Sequence, residues 1–166
     1  MLSQSGKKLK KRKGKIMQFK RVEAKTSLRR SFAITLGLSE GYGESAKVHT
    51  RQEVVDAALA YMKAKAAAGE PFLTGTVSAE GTVVYAWPES PGRSGGGNEN
   101  TIVFYGEVSV LYNADTSDED VKAMLDDMAT SLGSILGQTR VYVAYRDQTW
   151  VLQAEQTATP TGEKVA

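Results

Sequence analysis

The segment from residue 31 to 38 constrains the fold most, because large apolar residues alternate there with small or polar ones. The large residues occupy every second position: Phe32, Ile34, Leu36 and Leu38. Successive side chains of a β-strand point to opposite faces of its sheet, so this period of two predicts a strand with one strongly buried face. A second layer must therefore pack against that face.

A helix is predicted from roughly residue 50 to 68. Thr50 and Glu53 have the spacing of a capping box, in which each side chain accepts a hydrogen bond from the other's backbone amide. Apolar residues follow at helical spacing: Val55, Ala58, Leu59, Met62 and Ala66. Gly69 and Pro71 then end the helix.

The next part of the chain is rich in residues that favour β-structure. Phe72 to Trp87 has this composition, with a bulge or tight turn expected at Gly81. Pro88 to Asn100 contains three consecutive glycines and is predicted to be a mobile loop. Thr101 to Asn113 is the longest strand candidate.

A second helix should begin after Ser117, whose side chain can cap it, with the carboxylates of residues 118–120 against its positive end. Its apolar stripe consists of Val121, Leu125, Met128, Leu132 and Ile135. Gly137 ends this helix. Arg140 to Tyr145 is a further strand, and Thr149 to Glu155 is its hairpin partner or an edge strand.

The predicted class is α+β, in the order β-α-β-β-α-β of a ferredoxin-like antiparallel sheet, with a possible extra strand at the C-terminus. Right-handed crossovers place both helices on one face of the sheet. Some strand aromatics then point to the uncovered face, where an apolar patch implies a partner and predicts a homodimer through the sheet. The strand aromatics include Tyr85, Trp87, Phe104, Tyr105, Tyr112, Tyr142 and Trp150.

Two motifs in this arrangement resemble a known group of proteins. The first strand ends in Leu36-Gly37-Leu38, and the second helix ends in Leu136-Gly137-Gln138 before Val141. Over about residues 32–145 the chain resembles an uncharacterised bacterial family of short ferredoxin-like domains of unknown function. It departs from that family in its glycine-rich 92–97 loop, its basic N-terminus and its extra strand. The resemblance implies the fold and no activity.

Charge divides the chain unevenly. Residues 1–30 hold twelve Lys or Arg and one Glu, whereas the remainder holds nine Lys or Arg against eighteen Asp or Glu. We therefore expect a basic, mostly disordered extension at 1–30, a folded domain at 31–155 and a disordered tail at 156–166. The lack of cysteine and the single histidine exclude disulfides, thiolate sites and multi-histidine metal sites, so neither a metal nor a cofactor is expected. The sequence has no secretory signal and no membrane-spanning run, which predicts a cytoplasmic protein.

The leading functional hypothesis is a non-enzymatic, small-ligand-binding or regulatory module. The 39–51 segment and the 88–100 loop should emerge at one end of the sheet, beside the start of the first helix. Positive side chains and free helix amides there favour an anionic ligand, over which the mobile loop would close. The proposed ligand-binding residues are Tyr42, Lys47, His49, Arg51 and Arg93.

Two alternatives belong to other functional classes. The basic extension could bind nucleic acid through its phosphates. That segment is also explained as a solvated tail, or as a translated ribosome-binding site preceding a start at Met17. Its candidate contacts are Lys7, Lys8, Lys10, Lys11, Arg12 and Lys13. The other alternative is a small enzyme using an apolar cavity on the sheet face, with an acid–base group drawn from His49, Tyr42, Tyr105 and Tyr142.

Overall fold

A computed structural model describes residues 19–22, 26–41, 46–92 and 95–155, which form one antiparallel sheet and two helices. The strands are β1 (Ser31–Gly37), β2 (Thr76–Val77), β3 (Gly81–Ala86), β4 (Gly96–Glu107), β5 (Arg140–Tyr145) and β6 (Gln148–Gln153). The helices are α1 (Arg51–Ala68) and α2 (Asp118–Ile135). The predicted α+β class is confirmed.

Strand β1 lies in the middle of the sheet, between β4 and β5. Strand β6 pairs with β5 at one edge, and β2 and β3 both pair with β4 at the other. All of these pairings are antiparallel. The central strand therefore has hydrogen-bonded neighbours on both sides.

The core lies on one face of the sheet. Ile34 and Leu36 of β1 have no exposed surface and share a single apolar cluster with Val54 of α1 and Leu125 of α2. The intervening β1 residues face the other way and are partly exposed. Among the described residues, no helix covers that second face, as the alternation in β1 predicts.

Both predicted helix starts are confirmed. Thr50 and Glu53 form the complete capping box of α1, with the Thr50 amide donating to Glu53 Oε2 at 2.6 Å. Ser117 Oγ accepts from the Asp120 amide at 3.1 Å and caps α2. No helix in the described part of the chain is both long and apolar enough to cross a membrane.

The longest strand differs from its predicted bounds at both ends. Strand β4 begins at Gly96, inside the predicted mobile loop, and ends at Glu107 rather than Asn113. The later residues form turns, and Arg30 donates to the carbonyl of Asn113 at 2.8 Å and to that of Thr116 at 2.6 Å. Those carbonyls therefore need no strand partner.

The division into three regions stays a prediction, since residues 1–18 and 156–166 lie outside the described residues. Arg30, at the end of the predicted basic extension, packs within the folded domain. Its carbonyl accepts from the Val108 amide at 2.9 Å, and 14% of its side chain is exposed.

Stability should fall as the pH drops from about 4.5 to about 2. The hydrogen bond from the Thr50 amide lowers the pKa of Glu53 from 4.5 to about 2. The ionised carboxylate therefore favours the folded state fully above this range, and that advantage disappears as Glu53 is protonated. Glu53→Gln should make the acid-induced loss of stability shallower in urea unfolding curves. Glu80→Gln, at a carboxylate without a partner among the described residues, is the control, and equal slopes for both variants would contradict this assignment.

Candidate functional site

A cavity of about 820 Å³ lies on the sheet face that the helices leave uncovered. Strands β1, β3, β4 and β5 all contribute to it, and we call it the sheet-face cavity. Its volume falls within the range of pockets that hold cofactor-sized ligands. Its lining includes Gly37, Tyr85, Trp87, Glu99, Gln138, Arg140 and Tyr142.

Gly37 forms part of the cavity floor, and its missing side chain leaves room for two oxygen atoms. A Cβ added there would lie 2.5 Å from Gln138 Oε1 and closer still to Glu99 Oε1. Both side chains therefore converge over the backbone of β1, an approach that only glycine permits.

Backbone hydrogen bonds fix the orientation of the Gln138 amide. Its Nε2 donates to the Ser39 carbonyl at 3.1 Å and to the Leu136 carbonyl at 3.0 Å. With both N–H groups engaged, the remaining Oε1 is an acceptor that points towards Gly37. The C-terminal end of α2 and the end of β1 thus position one polar atom of the cavity.

Two side chains of opposite charge line the cavity without pairing with each other. Glu99 is half-buried and has no hydrogen-bond or ion-pair partner in the described part of the chain. Arg140, at the start of β5, is exposed and donates to Gln153 Oε1 at 3.3 Å. A negative and a positive side chain in one cavity complement a ligand that carries charge.

One wall of the cavity is aromatic. The rings of Tyr85 and Trp87 are stacked, with centroids 5.5 Å apart and planes 24° from parallel. Gly97 lies directly under Tyr85, since a Cβ there would meet the Tyr85 ring at 3.1 Å. Residues 96–100 are therefore part of β4, where Gly97 accommodates a ring, and this corrects the last part of the predicted mobile 88–100 loop.

None of the described residues of the predicted anion site lines this cavity. Lys47 Nζ pairs with Glu40 at 3.0 Å, and the Arg51 guanidinium donates to the carbonyls of Val77 and Ser78, at 3.0 Å and 2.9 Å. Tyr42 and Arg93 lie outside the described residues. The structure therefore brings Lys47 and Arg51 to protein acceptors, and a ligand-binding role for the five predicted residues stays a prediction.

His49 is buried, with 4% of its surface exposed, between two carboxylates. Its Nε2 lies 2.7 Å from Glu40 Oε1, and its Nδ1 lies 3.3 Å from Glu53 Oε1. Lys47 lowers the pKa of Glu40 through its hydrogen bond, and the contact with His49 lowers it further. His49 thus joins the end of β1 to the start of α1.

The structure describes only some of the remaining candidate residues. Tyr142 lines the sheet-face cavity, and Tyr105 belongs to the same sheet face farther along β4. The basic segment with Lys7, Lys8, Lys10, Lys11, Arg12 and Lys13 lies outside the described residues. The homodimer through the sheet likewise stays a prediction.

Sequence reasoning missed Glu99 and Gln138, the two polar residues over the cavity floor. Glu99 fell inside a predicted loop, and Gln138 was considered only as part of a motif that follows a helix. The sequence feature that could have indicated these two residues is Gly37, because a glycine inside a strand often marks a close approach by another group.

No family model and no curated protein matches the sequence. Two solved structures have a similar fold. A phage SAM lyase in complex with S-methyl-5'-thioadenosine has a TM-score of 0.56 and 20% identity, covering 76% of this chain and 90% of that chain. A phage SAM lyase in the apo state has a TM-score of 0.56 and 17% identity, covering 84% of this chain and 98% of that chain. At these identities the likeness shows the fold alone.

These neighbours overturn the leading functional hypothesis. Both are enzymes, which contradicts the prediction of a non-enzymatic ligand-binding or regulatory module. They favour instead the alternative of a small enzyme with a cavity on the sheet face. The resemblance to an uncharacterised bacterial family receives no test from them.

Gly97→Ala should displace Tyr85 and disturb its stacking on Trp87. An added methyl group would press against the Tyr85 ring, which must move by a few tenths of an ångström. In a Trp150→Phe background Trp87 is the sole indole, so its fluorescence emission should change. Gly81→Ala in the same background is the control, because a Cβ there is 3.7 Å from Thr101 Oγ1. An unaltered Trp87 spectrum in Gly97→Ala would contradict this account.

Proposed function

We propose that this protein is an enzyme that cleaves S-adenosylmethionine (SAM) in the sheet-face cavity. The observation that carries the proposal is the combination, in one cavity, of an unpaired carboxylate, a guanidinium and a stacked aromatic pair. The similar fold of two phage SAM lyases supports it. Of the two alternatives predicted from sequence, the small enzyme is the one that the cavity and the similar fold support.

The chemical groups of SAM match the groups of the cavity one by one. Its sulfonium and α-ammonium are positive and suit the carboxylate of Glu99. Its α-carboxylate suits the guanidinium of Arg140, and its adenine ring suits stacking on the aromatic pair of Tyr85 and Trp87. A neutral or purely anionic ligand would leave Glu99 without a counter-charge.

Formation of S-methyl-5'-thioadenosine from SAM breaks the bond between sulfur and the γ-carbon of the amino-acid side chain. The electron pair of that bond moves to sulfur, so the sulfonium becomes a neutral thioether. The four-carbon fragment completes its valence by attack of its own carboxylate on the γ-carbon, or by loss of a β-proton. Neither route consumes water or an oxidant, and the cavity's role in both is to orient SAM.

The two routes place different demands on the protein. Closure by the substrate's own carboxylate needs no proton transfer and yields a lactone. Loss of a β-proton needs a base, and the side chains lining the described cavity that could accept a proton are Glu99, Tyr85 and Tyr142. The identity of the second product therefore tells whether one of these residues acts as a base.

We also propose that the architecture is ferredoxin-like with an added edge strand. Counting β2 and β3 as one interrupted strand, the sheet has β4 beside β1 and β5 on the other side of β1. Both helices contribute to one core, which supports the crossovers expected for that fold. Strand β6 then extends the sheet beyond β5.

Purified full-length protein incubated with SAM should produce S-methyl-5'-thioadenosine, detected by liquid chromatography with mass spectrometry. Glu99→Gln should reduce the rate by about 100-fold, because it removes the charge facing the sulfonium. Glu107→Gln is the matched control, since Glu107 lies on the same strand and pairs with the exposed Arg29 instead. Failure of the unaltered protein to form the thioether would contradict the function, and equal rates for both variants would contradict the site.

A further inference from the structure

Gly37 creates an arrangement in which two acceptor oxygens face the same space. Glu99 Oε1 and Gln138 Oε1 converge on the space above its Cα, and both atoms are hydrogen-bond acceptors. No donor of the described residues bonds to Glu99, and the amide nitrogen of Gln138 is already bound to two backbone carbonyls. Two acceptors facing one place favour a donor or a positive charge there.

The glycine is needed for space and not for backbone conformation. Gly37 is absent from the residues with positive φ, so the strand geometry suits any residue. Its register opposite Thr101 of β4 holds it in the sheet, so the backbone has little freedom to withdraw from an added methyl group. A side chain at this position would instead push the two oxygens apart.

We propose that Gly37 is a specificity-determining position, which lets Glu99 and Gln138 select a ligand with a positive charge over its neutral thioether counterpart. This inference rests on the proposed function and deepens it. A cation gains attraction from both oxygens in a half-buried site, whereas a neutral sulfur gains almost none. The attraction between the sulfonium and the two oxygens is consequently lost when cleavage turns the sulfonium into a neutral thioether. This loss favours release of the product.

Two SAM analogues that cannot be cleaved allow the binding of a charged ligand to be compared with that of a neutral one. Sinefungin carries an ammonium group where SAM carries its sulfonium, and S-adenosylhomocysteine has a neutral sulfur at that position. Both retain the adenosine and the amino-acid group. In calorimetric titration of the full-length protein, sinefungin should bind about tenfold more tightly than S-adenosylhomocysteine, or about 1.4 kcal/mol.

Gly37→Ala should abolish this preference and bring the two affinities to within about twofold, because the oxygens no longer converge. Gly81→Ala is the matched control, since Gly81 pairs with Thr101 in the same row of the sheet and has room for a methyl group. It should keep the tenfold ratio. Thermal unfolding of each variant establishes that it is folded.

Glu99→Gln provides a second test that preserves side-chain volume and serves if Gly37→Ala does not fold. It should also reduce the preference to within about twofold. Equal binding of the two probes by the unaltered protein would overturn the inference while leaving the proposed function standing. An unchanged ratio of the two affinities in Glu99→Gln would do the same. Binding of neither probe, together with no cleavage of SAM, would contradict the proposed function itself.

Discussion

The structure depends on the position of β1, which is paired on both sides and buried on one face alone. Its alternation places Ile34 and Leu36 in the dry core with both helices. The same alternation directs Thr35 and Gly37 to the opposite face, where they line the sheet-face cavity. Core and cavity are therefore two sides of one strand, and a shift of register by one residue would exchange them.

Several carboxylates of the described residues lack a side-chain or backbone partner, and Glu99 is distinctive among them because it is half-buried whereas the others, such as Glu80, are exposed. Asp118 binds Tyr145 and Arg146, and hydrogen bonding to Tyr145 lowers its pKa. Asp127 binds Lys65 and Tyr61, and the hydrogen bond from Lys65 lowers its pKa. These acids connect elements of the fold to one another. Glu99 connects nothing among the described residues, although it is half-buried in a cavity, and the proposed ligand would supply its partner.

Local patterns predicted the helices well because the caps and apolar spacing are short-range properties. Thr50, Glu53 and Ser117 gave both helix starts, and the alternation at β1 gave its buried face. The glycine run around Gly97 was misinterpreted because composition cannot distinguish a flexible loop from a strand that accommodates a ring of its neighbour. A cavity on the sheet face was among the predicted alternatives, but its polar residues were missed for a related reason. Glu99 and Gln138 meet over Gly37 only through pairings between distant parts of the chain, and no local spacing encodes that meeting.

The cavity has two halves that differ in how firmly the sheet holds them. Its floor belongs to β1, which cannot move without breaking hydrogen bonds to two neighbours and exposing the core. Its aromatic wall consists of Tyr85 of β3 and Trp87 just after that strand, and in the described part of the chain β3 pairs only with β4 and is exposed along its whole length. Amide hydrogens of the wall should therefore exchange with solvent faster than those of the floor, because opening β3 costs less free energy than opening β1. For the proposed substrate, such a division would keep charge recognition fixed at the floor while the wall adjusts to the shape of the bound base.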